Sequence, residues 1–68
     1  MRYAAVIEKA NGNYSAFVPD LPGCVATGRT VEKVEHEMQA AIQFHIDGLR
    51  EDRLHVPGPT SICEYVEV

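Results

Sequence analysis

The stretch FVPDLPGCVATGRT, residues 17–30, decides how this chain folds. Pro19 has no N–H to give to a ladder, so a strand running into it ends at Val18. Pro22 presets the backbone at one central turn position and Gly23 accepts positive φ at the next, which makes a reversal there. CVATG, residues 24–28, then has the length and composition of a short strand. Thr30 carries a side chain suited to capping a helix, and Glu32 follows in the first turn, where the helix dipole favours an anion.

Working outward, the residues before this stretch predict a hairpin. RYAAVIE at 2–8 alternates as a strand does, with Tyr3, Ala5 and Ile7 on one face. NGN at 11–13 supplies turn chemistry, and YSAFV at 14–18 supplies the return strand. After the stretch, Val31, Val34, Met38, Ala41, Ile42, His45 and Leu49 recur at spacings of three and four, which predicts an amphipathic helix over about 31–52. Gly48 weakens it near its end. HVPGPTS at 55–61 excludes both helix and central strand, and ICEYVEV at 62–68 reads as a fourth strand. The expected fold is α+β with the order β-β-β-α-β. A three-stranded antiparallel meander packs on one helix, and the fourth strand returns parallel to the first through a right-handed crossover.

A chain of 68 residues makes one domain, 1–68, and buries only about 60% of its unfolded surface. With 46% hydrophobic residues, self-association into a dimer or tetramer is the expected source of further support. Ten acidic and six basic residues leave a net charge of −4, and the bases are scattered at Arg2, Lys9, Arg29, Lys33, Arg50 and Arg53. Direct binding of nucleic acid needs a concentrated basic footprint and is not expected. No apolar leader or membrane-length segment is present among these residues, so a cytoplasmic protein is expected. Cys24 and Cys63 fit neither a disulfide scaffold nor a zinc site and read as reduced thiols.

The same residues resemble the N-terminal domain of the HicB antitoxin family. VPDLPGCVATGRTVEKV at 18–34 carries most of the likeness, with AAIQFHIDGL at 40–49 and VPGP at 56–59. Tyr14 in the hairpin, the Pro19-to-Cys24 turn, Thr30, Ala41, Ile42 and His45 occupy the family's places. The resemblance implies a partial ribonuclease H-like fold. It also implies a partner: HicA, a small basic RNA-cleaving toxin whose own fold resembles a double-stranded-RNA-binding domain. Longer members carry a C-terminal DNA-binding domain, which residues 1–68 do not contain.

Several residue groups have to be weighed as chemistry. Asp20 and Cys24 would be acid and nucleophile in an enzyme loop, but a cysteine nucleophile needs a positioned histidine, and nothing in the sequence sets His36, His45 or His55 beside it. The plainer reading makes Pro19, Pro22, Gly23, Cys24 and Thr30 structural, with Leu21 packed under the turn and Asp20 bonding backbone N–H groups nearby. Glu8, Glu35 or Glu37, and Glu64 are the carboxylates that a two-metal nuclease would have to converge. The first strand lacks the aspartate of the related nucleases, so they read as solvated glutamates. His36 and His45 are nine residues apart and cannot share a metal on one helix face. No metal or cofactor is expected. Phe44 projects well away from the apolar stripe and is a candidate contact residue.

The reading that follows is a non-catalytic antitoxin that occludes a HicA-like toxin. Asp20, Glu35 and Glu37 are its expected charged contacts, and Leu21 and Phe44 its apolar ones. The alternative is a self-associating module with a different protein or small-ligand partner.

Overall fold

The computed structural model describes residues 1–68. The chain forms β1 (Val6–Ala10), β2 (Asn13–Phe17), β3 (Val25–Gly28) and α1 (Val31–Glu51), and the strands make one antiparallel sheet in the order β1-β2-β3. The architecture is α+β, as the sequence predicts. Asn11-Gly12 joins β1 to β2 as a two-residue loop between paired Ala10 and Asn13, and only its glycine takes positive φ, at 78°.

The loop after β2 closes on itself. The Leu21 carbonyl accepts from the Cys24 N–H at 3.0 Å across Pro22-Gly23, and Gly23 sits at φ 86°, as the proline-glycine turn requires. The Val18 N–H donates to the Cys24 carbonyl, and the Leu21 N–H donates to the Val18 carbonyl. Leu21, 1% exposed, drops beneath this loop into the core beside Val18 and Cys24.

Ile7, Ala16 and Ala26 stand in register across the three strands. The small alanines let α1 lie close over β2 and β3, where Val34, Met38 and Ile46 complete the buried cluster. Thr30 caps the helix: its Oγ1 accepts from the Lys33 N–H at 3.1 Å. The other end stops before the prolines. The Arg53 N–H bonds to the Arg50 carbonyl and the Leu54 N–H to the Leu49 carbonyl, with Arg53 at φ 56°. That is a Schellman closure with arginine where glycine is usual.

Three expectations change. The first strand begins at Val6 rather than Arg2, because the register that pairs Val6 with Phe17 would set Ala4 opposite Pro19, which has no N–H to offer. The buried line of the helix runs through Val34, Met38 and Ile46, with Val31 exposed and His45 and Leu49 only partly covered. The fourth strand, expected at 62–68 parallel to the first, does not form: these residues have no strand structure and make no backbone–backbone hydrogen bond outside regular elements. Physically, α1 covers β3 and β2, so a strand added beyond β1 would have no helix above it and little to bury. No helix is long and apolar enough to cross a membrane.

Candidate partner-binding surface

Because α1 turns Val34, Met38 and Ile46 toward the sheet, residues half a turn round face away from it. Glu37, Ala40, Phe44, Asp47, Gly48 and Glu51 recur at spacings of three and four along that outer face, and all are exposed. Phe44 is 82% exposed, with Ala40 and Gly48 one turn to either side. Nothing lies within 4 Å of where a Gly48 Cβ would be. The result is an aromatic side chain standing proud between two small residues, with carboxylates at both ends of the face. Asp47 is also held in place, accepting from Gln43 Nε2 at 2.9 Å. Lys33 is the one base toward the helix start on this side.

The other sequence candidates separate. Glu35 is exposed on a different flank of the helix, at the rim of an apolar cleft formed with Tyr3, Ala5, Ile7 and Met38. Glu37 borders a shallow polar hollow with His36, Glu32 and Thr27 beside the end of β3. Leu21 belongs to the core and presents no side chain to a partner.

Asp20 has a role that the sequence did not reveal. Its Oδ2 accepts from the Thr60 N–H at 3.0 Å and the Ser61 N–H at 2.9 Å, while its Oδ1 accepts from both hydroxyls. The Ser61 backbone N–H and hydroxyl hold the Asp20 carboxyl below the usual carboxylate range, against an opposing desolvation that exceeds either single bond from Thr60. The nearby N–H groups expected from the turn chemistry come instead from the far side of the helix crossover. Tyr3 adds a second tie by donating its hydroxyl to the Pro57 carbonyl.

Cys24 is buried, and burial pushes its thiol up, the opposite of what a nucleophile needs. Nowhere do three or more His, Cys, Asp or Glu side chains come together in a metal-holding arrangement, so Glu8, Glu35, Glu37 and Glu64 do not converge.

The sheet-and-helix domain thus presents an aromatic and acidic outer helix face. The model of the HicB-like antitoxin of bacterial toxin–antitoxin systems matches residues 3–68, and the chain belongs to that family. Its relatives are widely spread. It is 39% identical over 66 residues to an uncharacterized 14.9 kDa protein in the rep–hol intergenic region of Haemophilus phage HP1, covering 97% of this chain and 50% of that protein. A UPF0150 protein of Helicobacter pylori is 42% identical over 50 residues, 74% of this chain and 69% of its own length. A UPF0150 protein of Thermoplasma acidophilum is 33% identical over 58 residues, 84% of each. The chain thus spans half the length of the phage relative and more of the other two.

Proposed function

We propose that this domain is the toxin-neutralising part of a cytoplasmic antitoxin, that its partner is a small basic HicA-like ribonuclease, and that it acts by occlusion rather than catalysis. Family membership makes a toxin the partner class. The observation that carries the finer reading is the outer face of α1, where exposed Phe44 is flanked by Glu37, Asp47 and Glu51. Aromatic side chains are favoured anchors at interface centres, and a ring of acids suits a protein that binds RNA through bases. The net charge of −4 speeds encounter with a basic toxin, while burial of Phe44 lengthens the residence time.

Of the residues expected to make contact, Glu37 and Phe44 remain on this face. Asp20 enters as the residue that fixes the crossover, and Glu35 as a flanking charge. The partial ribonuclease H-like relationship belongs to the same reading, with the meander and helix as the part of that fold that forms.

The test is co-expression with the small open reading frame adjacent to the gene, followed by affinity capture and a growth-rescue assay. Co-purification with rescue is expected. A neighbour product that is neither captured nor neutralised removes the antitoxin reading and leaves a self-associating module with another partner.

A further inference from the structure

The tip of the first hairpin places two mutually reactive groups side by side. Asn11 and Gly12 are both exposed, in a two-residue loop between the paired Ala10 and Asn13. The Asn11 carboxamide takes part in no hydrogen bond of the chain. The Gly12 N–H lies outside both strands and donates to no backbone carbonyl. Nothing stands within 4 Å of where a Gly12 Cβ would be, so no side chain shields that nitrogen from the carboxamide carbon before it. Asparagine is one of the thermolabile side chains, and here both its amide and its neighbour's nitrogen are free.

The loop is also weakly fixed. A two-residue hairpin loop matches the twist of its strands when its first residue, or both, take positive φ. Here Asn11 does not, and only Gly12, at 78°, is left-handed. That arrangement splays the strands it joins, and an exposed tip of this kind opens at little cost. Asn13, the other asparagine of the chain, is placed differently. It is half-buried in β2, held in register with Ala10, and the Tyr14 side chain flanks the nitrogen that would have to react.

We propose that Asn11 is a self-modification site, at which the Gly12 backbone nitrogen attacks the Asn11 Cγ and expels the side-chain amide. The N–Cγ bond forms as the Cγ–Nδ2 bond breaks. The proton from the Gly12 nitrogen leaves with Nδ2 as ammonia, and a cyclic imide remains. Water then opens the ring at either carbonyl. Opening at Cγ gives aspartate. Opening at the main-chain carbonyl gives isoaspartate, whose backbone runs through Cβ and Cγ and whose α-carboxylate is free. Water is the only co-reactant. Either product adds one negative charge to the net −4. Isoaspartate also adds a methylene to the backbone of a loop whose length sets the hairpin register, so the pairs Ala10–Asn13 and Lys9–Tyr14 loosen first. The hairpin carries a chemical clock that shares no residue with the outer face of α1, and it runs whatever that face binds.

The experiment incubates the whole chain in ammonia-free buffer at neutral and mildly alkaline pH, beside a peptide of residues 9–14. Peptide-mapping mass spectrometry with electron-transfer fragmentation tells isoaspartate from aspartate. Asn11 is expected to convert within about tenfold of the peptide's rate, because an exposed loop opens at a cost near zero. Conversion is expected to quicken with pH, to give isoaspartate alongside aspartate, and to leave Asn13 intact. Gly12→Ala is expected to lose the reaction over the same period. Hydrogen exchange across residues 6–17 is expected to be faster in the isoaspartyl form than in Asn11→Asp, which carries the charge alone. An Asn11 amide that outlasts the peptide's by far more than tenfold overturns the inference. So does aspartate without isoaspartate, which is direct hydrolysis, or equal conversion at Asn13. Equal exchange in the isoaspartyl form and Asn11→Asp overturns the loosening of the hairpin.

Discussion

The carboxylate of Asp20 accepts both the backbone N–H and the hydroxyl of Ser61, at 2.9 and 2.8 Å, across 41 residues of chain. With the matching pair from Thr60, one side chain in the β2–β3 loop fixes where the crossover from the helix returns. The loop that reverses the chain also sets the direction of the C-terminal residues.

This tie makes stability pH-dependent in a stated direction. Asp20 has its folded-state pKa depressed below the ordinary carboxylate value, chiefly by the Ser61 N–H. Its contribution is therefore complete above the unfolded value and is lost as pH falls below it through the folded value. Asp20→Asn should remove that acid-side dependence and speed amide exchange at Thr60 and Ser61 at neutral pH. Hydrogen exchange and acid titration by circular dichroism check both.

Two glycines should respond in opposite ways to alanine. A Cβ at Gly28 would stand 2.7 Å from the Val34 backbone N and 3.1 Å from the Lys33 carbonyl carbon, so β3 and α1 would have to separate. Gly28→Ala should lose about 1–3 kcal/mol. Gly48 faces open space within the helix, and Gly48→Ala should gain about 0.5–1 kcal/mol. Urea denaturation of both variants measures the contrast.

Core and surface hydrophobes should separate just as clearly. Leu21→Ala empties a fully buried site and should lose about 2–5 kcal/mol, which for a domain this small leaves little folded protein. Phe44→Ala removes an exposed ring and should change stability by no more than about 0.5 kcal/mol. Thermal melts followed by circular dichroism decide it.

The parts of this molecule that were legible in its sequence are those specified by neighbours in the chain. Asn11-Gly12, Pro22-Gly23 and Thr30 each act over a few residues, and the hairpin, the turn and the helix start stand where they predict. The helix end falls within a residue of the expected 52, although its left-handed closing residue, Arg53, has no glycine to announce it. Ile46 is in the core, and its spacing of four from Ile42 was the signal for it. The expected fourth strand depended on a surface to pair with and bury against, which no local pattern reports. The site divided the same way. Phe44 stood out because it broke the helical stripe, whereas the work of Asp20 was invisible because its partners lie 40 and 41 residues away. Leu21 was expected both beneath the turn and as an apolar contact; it is the plug beneath that loop, and the contact role falls away.

The central claim is that the outer face of α1 holds the toxin, and the most direct measurement is calorimetric titration of a purified HicA-like toxin, made catalytically inactive, with the wild-type chain and with Phe44→Ala and Glu37→Lys. Phe44→Ala should weaken binding by about 2 kcal/mol or more, roughly 30-fold, with folding intact. Stopped-flow mixing of the same proteins should show Glu37→Lys slowing association most at low salt. Wild-type affinity and association rate in both variants would contradict the claim and move the toxin to another face of the domain.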